Sequence, residues 1–462
     1  MGIQINGSND TISAADGGLS ISGQSIDNAN LNLSQNLNVT GVATVGTLNA
    51  TQSNPTNINV SGVSTVTNLR ATNINLSGIT TGLNVSGVTT SSSVIVGSAV
   101  TISATGINAP GIGITIASIN DGPISGARNR IINGDMRIDQ RNAGASVTPT
   151  DNQYSVDRWS CGQNVASKFS VQQNAGSVTP PPGFSNYLGC TSLSAYTPTG
   201  SNYFYVAQAI EGFNISDFAW GTANARAITL SFWVRSSLTG TFGGALSNGS
   251  RAYPYTYTIS AANTWEYKTI TFAGDTSGTW NATNGYGVAV RFSLGTGSTY
   301  AGTAGSWQSA ELVTATGATS VVGTNGATFY ITGVQLEPGT VATPFERRSY
   351  GQELALCQRY FAKTYDTNVA VATAGSKSGS IFVYKNSANE AGFCFQMPVE
   401  MRSTPTVVLY SHAGTANRFT SSTTDQTSTS NGALNGTRAV MSYGTTVVAT
   451  YCYQHFTCSA EL

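Results

Sequence analysis

Apolar and polar positions alternate with a period of two along most of this chain, the pattern of strands that bury one face. The alternating side chains differ in size between its two ends. From Thr56 to Thr90 the sequence reads TNINVSGVSTVTNLRATNINLSGITTGLNVSGVTT, in which Val, Ile and Leu alternate with Asn, Ser and Thr, with one charge and no aromatic residue. Related motifs start at Asn38 (NVTGVAT), Asn59 (NVSGVST), Asn75 (NLSGITT) and Asn84 (NVSGVTT), spaced by 21, 16 and 9 residues. That spacing is too irregular for a solenoid of equal coils. Each copy predicts a short strand ending at a glycine turn.

Such a strand does not fold alone. About nine residues bury about four apolar side chains, worth at most about 6–12 kcal/mol, whereas ordering their backbone costs about 9–18 kcal/mol. Wrapping identical strands from several chains around a shared axis pairs every edge. The segment is therefore expected to be an intertwined β shaft in a homotrimer, too thin inside for aromatic rings.

After residue 127 the alternation continues with bulky side chains. All 6 Trp, 20 Tyr, 17 Phe, 6 Cys and 2 His follow that point, whereas the residues before it carry one basic side chain, Arg70, and four acidic ones, Asp10, Asp16, Asp27 and Asp121. Runs such as Ala227 to Ser236, Tyr253 to Ile259, Trp265 to Phe272, Tyr286 to Leu294 and Ala327 to Leu336 predict antiparallel strands, with Asn-Gly pairs at Asn133, Asn248, Asn284 and Asn325 as type I′ hairpin turns. About 220 residues of this kind predict one β-sandwich. In AITLSFWVRS, Ile228, Leu230, Phe232 and Val234 form the core face, and Thr229, Ser231, Trp233 and Arg235 the other. In YGVAVRFSL, Val288, Val290, Phe292 and Leu294 form the core face and Arg291 points outward, so both arginines would flank Trp233 if the two strands were neighbours.

An outward Trp beside Arg suits a sugar-binding surface, because pyranose rings offer apolar C–H faces to an indole and hydroxyls to a guanidinium. Trp233, Arg235 and Arg291 are the candidate glycan-binding residues, with Tyr255 from the Tyr253, Tyr255 and Tyr257 stripe, which otherwise reads as core or cross-strand packing. Further on, SYGQELALCQRYF predicts a helix whose apolar face carries Leu354, Leu356, Cys357, Tyr360 and Phe361. It would link the sandwich to a C-terminal β tip domain.

Charge narrows the function. Lys plus Arg and Asp plus Glu both number 21, and only 9% of residues are charged. No basic excess is present to neutralise phosphates, which argues against nucleic acid. No membrane-length apolar run and no signal-like leader is present, so the chain is expected to be made in a cytoplasm, with its scattered cysteines as buried thiols. Glycoside hydrolysis needs two carboxylates about 5–10 Å apart, and acidic residues such as Asp151, Asp217, Asp275 and Glu311 stand singly in predicted loops. No GxSxG elbow accompanies His412 or His455. Cys452, His455 and Cys458 have a metal-like spacing, but on a strand the cysteines share one face and the histidine takes the other. We expect no enzyme and no cofactor.

The runs NRIINGDMRIDQRNAG, YSVDRW, ITLSFWVRSSLTG, NTWEYKTITFAGDTSG and the stretch from Gly323 to Phe361 together resemble a module of bacteriophage tail-fibre and host-recognition proteins. The resemblance covers roughly residues 128–363 and implies a homotrimeric virion structural protein that contacts the bacterial surface. The fragment MPVEMRSTPTVVLYS is similar to distal domains of tail fibres. INGDM and FYITGVQLE look like the first and last strands of carbohydrate-binding jelly-roll modules. That likeness implies a structural calcium through Asp135 and Glu337, although Met136 and Arg137 stand where those modules place an aromatic and an acidic residue.

The expected organisation is thus all-β: residues 1–127 as anchor and shaft, 128–347 as a jelly-roll-like sandwich, and 348–462 as linker helix and tip. The expected function is attachment of a phage tail to a host surface glycan such as lipopolysaccharide, with the N-terminal region on a tail or baseplate protein. A capsid-attached fibre or decoration protein and a tailspike-type polysaccharide depolymerase are the alternatives.

Overall fold

The computed structural model describes residues 93–96, 100–103, 106–108 and 128–462, except 387, 389, 423, 431–434, 445, 446 and 448. The repeats from Asn38 to Asn84, and with them the expected shaft, lie outside the described residues. Before residue 128 the described part is an antiparallel meander of three short strands, β1 (Ser93–Val96), β2 (Val100–Ser103) and β3 (Gly106–Asn108).

The sandwich follows. In chain order its strands are β4 (Gln153–Tyr154), β5 (Ser160–Gln163), β6 (Phe169–Gln173), β7 (Leu188–Ser192), β8 (Tyr203–Glu211), β9 (Ile228–Ser236), β10 (Gly240–Ser247), β11 (Ala252–Ile259), β12 (Glu266–Phe272) and β13 (Tyr286–Thr296). Two short strands, β14 (Ala301–Gly302) and β15 (Thr314–Ala315), pair in parallel before β16 (Thr328–Pro338). One antiparallel sheet has the order β11-β10-β13-β8-β5-β4 and the other β12-β9-β16-β7-β6.

Period-two alternation builds the core between them. Ile228, Leu230, Phe232 and Val234 of β9 and Val288, Val290, Phe292 and Leu294 of β13 are all fully buried, and Phe232 meets Phe292 edge-on at 5.0 Å. The four Asn-Gly pairs do not form type I′ turns, which need positive φ at both residues. Only Asn133 (φ 56°), Gly249 (φ 89°) and Gly326 (φ 73°) have it, and neither residue of Asn284-Gly285 does. At Asn248 the side chain itself makes the turn, its Oδ1 accepting from the Ser250 and Arg251 amides.

Helix α1 (Tyr350–Gln358) starts at Ser349, whose hydroxyl caps the Gln352 amide. It is shorter than its apolar pattern predicts. Cys357 is buried in it, but Tyr360 lies beyond its end and Phe361 opens strand β17 (Phe361–Lys363). The C-terminal region adds β18 (Ile381–Tyr384), β19 (Ala391–Gln396), β20 (Thr406–Tyr410), β21 (Arg418–Ser421), β22 (Thr424–Ser430), β23 (Ala439–Gly444) and β24 (Tyr451–Ser459). Strand β24 is its hub, pairing with β17, β18, β20 and β21. Cys452, Phe456 and Cys458 share a core with Phe393 and Phe419. Five of the six cysteines are buried and Cys394 is exposed, and none is paired.

The sandwich and the C-terminal region join through buried polar contacts. Glu211 at the end of β8 accepts from Arg359 Nη2 at 2.6 Å and from the Tyr360 hydroxyl at 2.6 Å. Asp157 accepts from the Gln140 amide at 2.6 Å and from its side chain at 2.7 Å, and that side chain also bonds the Phe361 carbonyl. Burial pushes the Asp157 carboxyl up to about 6, against the opposing pull of Arg141 and the Gln140 bonds. Its folded pKa lies above the ordinary 3.8, so its stabilising contribution is complete below that value and is lost as pH rises through about 6. Asp157→Asn should therefore flatten the decline in melting temperature between about pH 4 and 6.5. Parallel profiles for variant and wild type would show that this carboxyl ionises there without cost.

Candidate functional site

The outer face of the six-stranded sheet carries a cleft of about 490 Å³. The alternation that buries Phe204, Val206 and Ile210 of β8 turns Tyr203, Tyr205, Ala207 and Ala209 outward. On β13 the same rule presents Ala289 and Arg291, which pair with Ala209 and Ala207. On β5, Ser160 pairs with Ala207 and Gly162 with Tyr205. Small side chains make the floor. Half-buried tyrosines make the walls: Tyr154, Tyr203, Tyr205, Tyr286 and Tyr300.

Arg291 lies within this cleft. Its guanidinium donates to Glu311 Oε1 at 2.8 Å and to the Leu312 carbonyl at 3.1 Å, and sits 5.2 Å from the centre of the Tyr205 ring. Burial works against its charge, but Tyr286, Tyr205 and Glu311 outweigh it and raise its pKa. Burial also raises the Tyr205, Tyr286 and Tyr154 phenols, and burial together with Asp151 pushes Tyr203 up to about 12. These hydroxyls are thus donors at neutral pH. Tyr203 donates to Asp151 at 3.1 Å and Tyr154 to the Leu462 carbonyl at 2.9 Å. The rings are ordered by one another: Tyr203 stacks on Tyr205 at 5.8 Å and meets Tyr300 edge-on at 5.5 Å.

Trp233 stands on the opposite face of the sandwich. Strand β9 belongs to the other sheet from β13, so Arg291 does not flank Trp233 and the expected neighbourhood is corrected. Trp233 lies beside Tyr267 at 5.4 Å, in a shallow groove of about 620 Å³ with Phe184, Phe345 and Arg347. Arg235 shares that face but does not line the groove. Its Nε donates to the Asn263 carbonyl at 3.0 Å, and its guanidinium lies over Tyr330. Tyr255 is removed from the candidates: it is buried in the core against Phe272 and Phe292, and its hydroxyl donates to the Arg291 carbonyl at 2.8 Å.

Asp135 and Glu337 do not fit a calcium site. Asp135 is paired with Arg137 at 2.5 Å. Glu337 is buried, accepting from Gln335 Nε2 and the Thr343 amide at 2.8 Å and from the Thr343 hydroxyl at 2.6 Å. A hard cation needs several free oxygens, and among the described residues no three His, Cys, Asp or Glu side chains converge. His455 lies flat on Tyr365 at 3.7 Å, on the other face of β24 from Cys452 and Cys458.

The residues missed from sequence are Tyr154, Tyr203, Tyr205, Tyr286, Tyr300 and Glu311. The run YFYVAQAIE carried a readable signal, since its alternation separates Tyr203 and Tyr205 from the buried Phe204 and Val206.

No protein-family model matches the sequence, and no curated protein matches it. Several solved structures do. A CBM4 structure is 16% identical over 45% of this chain and 97% of its own, with a TM-score of 0.24. A family 11 carbohydrate-binding module from Clostridium thermocellum, in complex with a β-1,3-1,4-mixed-linked tetrasaccharide, is 13% identical over 42% of this chain and 96% of its own, with a TM-score of 0.22. The enzymatically active domain of tailspike protein 4 from bacteriophage CBA120 is 14% identical over 44% of this chain, with a TM-score of 0.24, and the chain spans 22% of that structure.

Proposed function

We propose that this protein is a receptor-binding fibre of a bacteriophage tail and that the tyrosine-walled cleft holds a saccharide of the host surface, in lipopolysaccharide or another surface glycan. One observation carries the binding reading: half-buried tyrosines surround a floor of alanine and serine, with Arg291 and Glu311 among them. Pyranose rings pack their C–H faces on such rings, while phenol and carboxylate groups bond their hydroxyls. The fibre reading is supported by the likeness of residues 128–363 to phage host-recognition modules and by the aromatic-free repeats that precede them. On this reading the chain is a homotrimer in the virion, held to a tail or baseplate protein by its N-terminal region.

The protein binds without cutting. The described lining of the cleft has one acidic side chain, Glu311, held by Arg291, and the nearby Asp151 is engaged by Tyr203 and the Gln163 amide. Purified full-length protein added to host cells should compete with virions for adsorption and leave the chain length of extracted surface polysaccharide unchanged. Undiminished adsorption at saturating protein would overturn the receptor-binding reading, and shortened polysaccharide would overturn the non-catalytic one.

A further inference from the structure

The charge arrangement inside the cleft says more about its ligand. Arg291 is the one cation among the described lining residues, and its side chain is only 7% exposed. It is spent on protein partners, with one nitrogen on Glu311, another on the Leu312 carbonyl, and its plane against Tyr205. The one acidic side chain of the described lining faces the other way. Glu311 has a side chain 48% exposed, and outside the lining the exposed Asp151 receives the Tyr203 hydroxyl. A ligand entering from solvent therefore meets negative charge before positive charge.

We propose that the cleft takes a neutral saccharide and rejects carboxylated or phosphorylated ones, with Glu311 as the residue that sets this selection. The inference rests on the reading of the cleft as a saccharide site. A neutral ring donates its hydroxyls to the Glu311 oxygen that Arg291 does not hold and leaves the Arg291–Glu311 pair intact. An acidic ring is repelled by Glu311 and reaches Arg291 only by displacing it, which leaves one of the two charges without a partner in a partly desolvated place. The repulsion acts through water at the cleft mouth, so it is screened by salt.

The test uses full-length protein on an immobilised panel. The neutral probes are α- and β-glucans, galactan, mannan and N-acetylglucosamine oligomers, and the acidic probes are polygalacturonate, hyaluronan, polysialic acid and phosphorylated mannan. Binding should be confined to neutral probes at low salt. Glu311→Gln leaves Arg291 an uncharged acceptor and removes the repelling charge, so the ratio of acidic to neutral binding should rise on the order of tenfold. That rise should shrink between about 20 mM and 500 mM salt. Wild-type binding confined to acidic probes, or a ratio unmoved by Glu311→Gln, would overturn the selection while leaving a saccharide site in place. Absence of binding to every probe would count against the saccharide reading itself, and the selection would fall with it.

Discussion

Replacing Glu461 by alanine should destabilise the junction between the sandwich and the C-terminal region by about 3–5 kcal/mol, the loss expected when one partner of a buried ion pair is removed. Glu461 reaches Arg141 at 2.8 Å and also bonds Arg158, and its side chain is only 7% exposed. Neither arginine has an easy retreat to water. Arg158 is fully buried, donates to the Ala209 carbonyl and lies 3.5 Å from the centre of the Tyr360 ring. Arg141 lies 3.7 Å from the centre of the Phe361 ring. Burial already lowers the pKa of both. Without the carboxylate a buried and a half-buried cation face each other's field. Chemical denaturation of wild type, Glu461→Ala and Glu461→Gln should rank them in falling stability as wild type, Gln, Ala, because Gln keeps an acceptor but no charge. An alanine variant within about 0.5 kcal/mol of wild type would show that solvent reaches these arginines.

The strands and their faces were largely legible, because period two is a local property of sequence. The core sets of β9 and β13 were assigned residue by residue, and all eight side chains are buried. Sheet order was not legible, because it depends on pairings between residues far apart in the chain. Nothing in AITLSFWVRS or YGVAVRFSL says that β9 pairs with β12 and β16 while β13 pairs with β8 and β10. That one fact moved Arg291 away from Trp233 and into a cleft with the tyrosines of β8. Tyr255 shows a second limit. Its strand carries Tyr at 253, 255 and 257, an aromatic stripe compatible with either face, and only the close approach of Gly244, where a Cβ would lie 2.5 Å from the Tyr255 hydroxyl, made room for the ring inside. Arg235 illustrates a third: its outward direction was readable, but not the Asn263 carbonyl that captures it.

The same dependence on a glycine gives a way to close the cleft without touching a ligand-facing residue. A Cβ on Gly162 would lie 2.1 to 2.5 Å from three atoms of the Tyr205 ring, far inside contact distance. Gly162 has no left-handed backbone angle, so Gly162→Ala introduces no backbone strain and its whole effect falls on that ring. The ring cannot move inward, because the β5 and β8 backbones lie beneath it, paired at Gly162 and Tyr205. It must tilt outward, leaving its stack on Tyr203 and its contact with Arg291 and occupying the space a sugar would fill. Overpacking of this kind costs about 1–3 kcal/mol. Saccharide binding by one site should fall at least about tenfold, the loss of one stacking contact and its space. In a multivalent fibre the effect compounds, since avidity gains of about 10²–10⁴ depend on each further contact forming in turn. Adding Tyr205→Ala to Gly162→Ala should restore stability by removing the clash but should not restore binding, a coupling that a double-mutant cycle reads directly. Binding and adsorption unchanged in Gly162→Ala, with its stability lowered as expected, would place the glycan elsewhere and return attention to the groove at Trp233.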